Sequence, residues 1–145
     1  MNHLPKPSQV FYDGESRKQV DGKTVEEYSL FKKGIEPEWG DPANVTGGEF
    51  FCRQFFEGEV LDLYWQNLVM AVVGETLETE GVVVNGCRVV DKSRGYPMFK
   101  LELWLKARDA KTKETIQKRL LDIIVDGQTE KTKASPKFDW KDHSA

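Results

Sequence analysis

Hydrophobic and polar positions recur along this chain with two different periods. Over 99–106 the period is two: Phe99, Leu101, Leu103 and Leu105 share one face of a strand, and Lys100, Glu102, Trp104 and Lys106 share the other. Over 60–75 the spacing is helical. Leu61, Trp65, Leu68 and Val72 fall on one face, with Asp62 placed in the first turn and Gly74 near the end. A second amphipathic helix is predicted over 111–124, with Ile116, Leu120, Ile123 and Ile124 inward and Lys113, Gln117 and Lys118 outward. Further strands are predicted over 28–32, the aromatic 49–56 and the valine-rich 81–92, where Gly86 marks a bulge.

Strands interrupted by single helices predict an α+β fold, an antiparallel sheet with helices over one face. The 145 residues suit a single domain, with 1–27 as an irregular N-terminal arm anchored by Val10, Phe11 and Tyr12. Residues 125–145 read as a C-terminal loop or tail pinned by Phe138 and Trp140. The uncovered sheet face, carrying Lys100 and Trp104, is free to bind.

The segment GIEPEWGDPANVTGG, 34–48, cannot be the interior of a helix or strand, because Pro37 and Pro42 each remove a backbone donor. It is an ordered loop around Trp39, whose ring either plugs the core or is displayed for a ligand. With Trp104 on a charged strand face, two rings stand where a core does not require them. Aromatic faces stack on bases and attract cations. Arg88, Lys92, Lys100 and Lys106 lie near them in the strand reading, so ring faces and phosphate-binding groups together describe a nucleotide pocket.

Composition narrows the partners. Hydrophobic residues are 39% and charged residues 31%, an ordinary globular balance, and the net charge of −3 means that a polyanion must be held by a local cluster. The longest apolar run, 68–73, is far short of a bilayer span. MNHLPKPSQV carries no leader pattern, which points to the cytoplasm or nucleus, where Cys52 and Cys87 stay reduced. Asn44-Val45-Thr46 matches the glycosylation pattern, read here as chance. No phosphate-loop glycines and no metal-spaced His and Cys occur, and His3 and His143 fall in ends expected to be mobile. No enzyme activity, catalytic residue, cofactor or metal is therefore expected.

YSLFKKGIEPEWGDPANVTGGEFF resembles the signature of the eukaryotic translation initiation factor 4E family, S-L-F-K-x-G-I-x-P-x-W-E-D-x-x-N-x-x-G-G-x-W. LDLYWQNLVMAVVGE, GVVVNGCR and KLELW resemble the helix and strands that follow, so the likeness runs over 28–122. It implies a curved antiparallel sheet backed by helices on its convex face. The 7-methylguanosine triphosphate of the mRNA 5′ cap would bind in a cup on the concave face, in translation initiation or its regulation. Trp39 and Trp104 match base-binding positions, Asp41 matches a different family acid and is a further candidate for the base, and both rings are expected to be open for a cationic purine. Arg88 and Lys100 match phosphate-binding positions, with Lys92 and Lys131 or Lys133 as weaker candidates. Gln66, Met70 and Val73 match the dorsal surface that meets the initiation scaffold factor and its inhibitory competitors.

Three departures follow from the same resemblance. Gly40 replaces the acid that accepts hydrogen bonds from the base, a loss of about 1–3 kcal/mol if the buried edge stays unpaired, and Asp41 can substitute only if the loop shifts. MNHL resembles the segment after the family's first helix, so the first two strands, the other stacking tryptophan of the sandwich and the first-helix tryptophan that docks a Tyr-x-x-x-x-Leu motif are expected to be missing. The arm before Tyr28 is longer than usual, and Phe50 stands in place of tryptophan. The alternative reading is a fold-retaining protein-interaction module with weak or lost cap affinity, acting through helix 60–75.

Overall fold

The structure is a computed structural model, described here for residues 6–13, 16–54, 58–78, 81, 83–94, 96–128 and 136–144. The predicted alternation around Trp104 becomes strand β8 (Phe99–Leu105), at the centre of a sheet with β5 (Glu27–Phe31), β6 (Gly48–Gln54), β7 (Val84–Asp91) and β9 (Asp139–Asp142). The order is β5-β7-β8-β6-β9, and every neighbouring pair is antiparallel. Helices α2 (Gly58–Val73) and α3 (Ala110–Ile124) pack against each other, and α2 packs on β7 and β8. The fold is α+β with an open antiparallel sheet, as the sequence predicts.

The core lies between that sheet and the helices. Leu101, Leu103 and Leu105 are wholly buried, facing a helical layer that includes Leu61, Trp65, Leu68 and Val72 from α2 and Ile116, Leu120 and Ile124 from α3. Each such side chain stabilises the fold by about 1.5–3 kcal/mol relative to exposure. Asp109 caps α3: its carboxylate accepts from the Thr112 backbone N–H at 3.0 Å and from the Thr112 hydroxyl at 2.9 Å. Helix α2 begins earlier than expected, at Gly58, so Asp62 lies past its first turn. Asp62 instead accepts hydrogen bonds from the backbone N–H and hydroxyl of Ser8.

Those bonds help to order the arm. The arm carries a short helix, α1 (Pro7–Val10), and two short antiparallel pairs, β1 (Tyr12–Asp13) with β2 (Ser16–Arg17) and β3 (Gln19–Val20) with β4 (Lys23–Thr24). Phe11 is fully buried and stacks on Phe99 with centroids 6.1 Å apart, so the expected anchor is part of the core. The predicted bulge at Gly86 is present as a register shift between Val84 and Gly86. A Cβ on Gly86 would come within 2.5 Å of the Phe31 ring, so glycine there lets Phe31 lie across the sheet.

The C-terminal stretch departs most from expectation. Rather than ending as a loop, it forms β9, which pairs with β6 in the register Phe50↔Trp140 and Gly48↔Asp142. The physical reason is the edge of β6, whose backbone groups on the side away from β8 gain partners from β9. Trp140 meets Phe50 edge-on at 4.9 Å, and Phe138 is buried, so both expected pins act, one of them from within a strand. Among the described residues no helix is long and apolar enough to cross a membrane.

Candidate ligand-binding face

The sheet face turned away from the helices carries the candidate site. The two-residue period sends Lys100, Glu102 and Trp104 of β8 to this face, and cross-strand pairing sets Glu49 opposite Trp104, Phe51 opposite Glu102 and Arg88 opposite Glu102. The loop between β5 and β6 brings Trp39 to the same place. Its shape is set by Asn44, which is fully buried. The Asn44 amide donates to the carbonyls of Glu36 at 2.8 Å and Glu38 at 2.9 Å. Its oxygen accepts from Asn85 Nδ2 at 2.9 Å, which also donates to the Ala43 carbonyl at 2.7 Å. Buried amides with partners on both sides hold a loop rigidly.

Asp41 sits in that loop, but its carboxylate is engaged there. It accepts from the backbone N–H groups of Glu36 at 3.0 Å and Ala43 at 2.9 Å, which hold its carboxyl below the usual range. Asp41 thus shapes the turn rather than facing the rings. Gly40 borders open space, with nothing within 4 Å of where a Cβ would be.

Trp39 is half-buried, and its indole N–H donates to Glu49 Oε1 at 3.2 Å. The ammonium of Lys141 lies 4.1 Å from its ring centroid, a cation–π contact. Trp104 differs from expectation in being completely covered. Phe31 meets it edge-on at 5.1 Å, the Arg88 guanidinium lies 5.2 Å over it, and His143 tilts against it at 4.5 Å. The cover is aromatic and charged rather than aliphatic, because Gly86 lets Phe31 across and β9 delivers His143.

Two of the cations expected to hold phosphates, Arg88 and Lys100, are brought together here, already paired. Glu102, buried completely, accepts from Arg88 Nε at 2.8 Å and Nη2 at 3.2 Å, a two-pronged contact, and from the Trp104 indole N–H at 2.8 Å. Lys100 Nζ is 3.0 Å from Glu102 and 3.7 Å from Glu49, and Arg88 Nη1 is 3.1 Å from Glu27. Burial by itself would push the Glu102 carboxyl up. The Arg88 hydrogen bonds and charge, with Lys100 and Trp104, outweigh it and hold the carboxyl down. For Arg88 burial pulls the other way, and Glu102, Glu27 and Glu49 overcome it, so the guanidinium is held more firmly charged.

Lys92 is not part of this cluster. It lies past the end of β7 beside Arg17, Glu26 and Arg94, around a separate cavity of about 190 Å³. Lys131 and Lys133 fall outside the described residues. On α2, Gln66, Met70 and Val73 form one exposed stripe, Met70 at 45% and Val73 at 58%. Both cysteines are free and buried, and burial raises their thiols, Cys52 to about 11. Among the described residues no cluster of metal-binding side chains is present.

His143 and Glu49 are the residues that the sequence reading missed. His143 is 2% exposed, stacked on Trp39 with centroids 5.7 Å apart and planes at 19°. Its ring nitrogens face the Asn44 carbonyl and Glu49 Oε1, each at 3.2 Å. No sequence signal marked it, since its placement depends on β9. Glu49 could have been found from the alternation in 49–54, which sets it on the face opposite Phe50 and Cys52.

The sheet face turned away from the helices thus gathers two tryptophans, a histidine and paired cations on an α+β domain. The family model of eukaryotic initiation factor 4E matches residues 2–145, and the chain belongs to that family. It is 36% identical over 92 residues to eukaryotic translation initiation factor 4E-2 of Schizosaccharomyces pombe, covering 63% of this chain and 36% of that protein. With the initiation factor 4E of Candida albicans it shares 33% over 101 residues, 68% of this chain and 47% of the relative. The chain thus spans well under two thirds of the length of these relatives. Among solved structures, Ascaris suum eIF4E-3 with m7G cap superposes with a TM-score of 0.72 at 26% identity, covering 99% of this chain and 69% of that one. Caenorhabditis elegans eIF4E-3 with the 4E-binding protein Mextli gives 0.71 at 26% identity, covering 98% and 71%.

Proposed function

We propose that this chain binds the 7-methylguanosine 5′ cap of mRNA and acts in translation initiation or its regulation, in the cytoplasm. The observation that carries the reading is the meeting of Trp39 and Trp104 around one heteroaromatic ring, that of His143, with Arg88 and Lys100 alongside. A ring stacked on an indole gains further if it is cationic, as 7-methylguanine is. The complex of Ascaris suum eIF4E-3 with m7G cap supports the same ligand for this fold. Titration of the chain with 7-methyl-GTP and with GTP, followed by tryptophan fluorescence, tests it. Quenching with about tenfold preference for the methylated nucleotide is expected, a difference of about 1.4 kcal/mol. Equal binding of the two nucleotides overturns it.

A second reading is favoured by a separate observation, the exposed stripe of Gln66, Met70 and Val73 on α2. Here the chain is a protein-interaction module with weak cap affinity, and its partners are the initiation scaffold factor or inhibitory binding proteins. The complex of Caenorhabditis elegans eIF4E-3 with Mextli is consistent with such a partner class. Retention of the chain on cap resin, with no capture by 4E-binding-protein peptides, counts against it.

A further inference from the structure

We propose that Glu49 is the acid that reads the hydrogen-bonding edge of the base held against Trp39, and that in the free chain the His143 imidazole occupies that base's place. The inference rests on the cap reading and names the residue that gives it base specificity.

Glu49 is wholly buried on the ligand face of β6, in register with Trp104 on one side and Lys141 on the other. Its Oε1 accepts from the Trp39 indole and faces His143 Nε2. Its Oε2 has no hydrogen-bond partner among the described residues, and Lys100 Nζ stands 3.7 Å away. A carboxylate accepts at about four lone-pair positions, so acceptor capacity is left over. Burying such a group without filling that capacity is costly, whereas a leucine or phenylalanine there would pack without penalty. A ligand that brings N–H donors removes the cost. The other acids near the rings are committed: Asp41 to its own turn, and Glu102 to Arg88, Lys100 and Trp104.

His143 shows what fits. It is a flat nitrogen heterocycle stacked on Trp39, touching Trp104, with one ring nitrogen on the Glu49 carboxylate. A ring protonated on Nε2 donates to Glu49, and a doubly protonated, cationic ring donates to the Asn44 carbonyl as well. A 7-methylguanine base offers the same set: a cationic plane for the indole, and N1–H and 2-amino donors for the acid. The His143 backbone is fixed by its N–H donating to the Gly47 carbonyl at 2.9 Å and by Arg108 Nη1 donating to its carbonyl at 3.2 Å. Rotation about the side-chain bonds therefore clears the ring from the slot while β9 stays paired.

The test uses the full chain and two nucleotides, 7-methyl-GTP and 7-methyl-ITP, which lacks the 2-amino donor. Wild type should prefer the guanosine form by about tenfold, and Glu49→Gln should lose most of that preference, with the guanosine form weakened by about tenfold or more. His143→Ala should bind 7-methyl-GTP several-fold more tightly. In wild type the His143 ring protons, shifted by two indoles, should move toward the values of a free imidazole as 7-methyl-GTP saturates, a readout independent of how the variants fold. Unchanged preference in a folded Glu49→Gln protein, weaker binding by His143→Ala, or ring protons that do not move overturns the proposal and leaves the cap reading standing. Binding by His143→Ala alone supports it. Failure of both wild type and His143→Ala to bind takes the cap reading down as well.

Discussion

On one side of β8, Leu101, Leu103 and Leu105 are as deeply buried as Glu102 and Trp104 are on the other. Transfer of hydrocarbon from water makes the first burial favourable in itself. The second begins with a penalty, since a carboxylate leaves water, and is recovered only through Arg88, Lys100 and the Trp104 N–H. Such pairs are poor sources of stability and good sources of a defined arrangement. The apolar side thus holds the fold together, and the polar side holds indole rings and charges at set positions.

Substitutions should separate the two sides. The largest effect is expected at Leu103→Ala, which opens a cavity in the core and should cost about 2–5 kcal/mol in urea denaturation. Glu102→Gln should cost about 3 kcal/mol, because it leaves Arg88 and Lys100 short of a buried partner. Its pH dependence gives a sharper check. The Glu102 carboxyl titrates lower in the folded chain than in the unfolded one, so its contribution is fully present above the ordinary carboxylate range and is lost as pH falls through the folded value. The stability gap between wild type and Glu102→Gln should therefore narrow on acidification, and a gap independent of pH would show that the ion pairs are not its source. Asn44→Ala should cost about 1–2 kcal/mol and shift tryptophan emission to the red as the loop around Trp39 loosens. Val73→Asp, on the exposed stripe of α2, should change stability by no more than about 0.5 kcal/mol while abolishing capture by 4E-binding-protein peptides. A drop well beyond that would mean Val73 packs rather than docks.

How legible each part was follows the range of the interactions. Helices α2 and α3 and strand β8 were readable because their inward residues repeat at the element's own period, and Gly86 announced its bulge. Strand β9 was not, since its four residues are mostly exposed and owe their form to the edge of β6. Within the site, Trp39, Trp104, Arg88 and Lys100 were named from the chain and do share one face. Their pairing was invisible, as was Asn44, which the glycosylation pattern disguised and which in fact stitches the loop to Asn85.

The sequence by itself determined which residues turn inward, where the loop breaks the strands, and that aromatic and cationic side chains share a sheet face, because these depend on local geometry with periods of two and three to four residues. Tertiary structure alone decided that Glu102 and Glu49 would be buried among those cations and that His143 would lie between Trp39 and Trp104. Contacts spanning up to 99 residues of chain, such as that of His143 with Asn44, arise from strand pairing and desolvation, which no local pattern encodes.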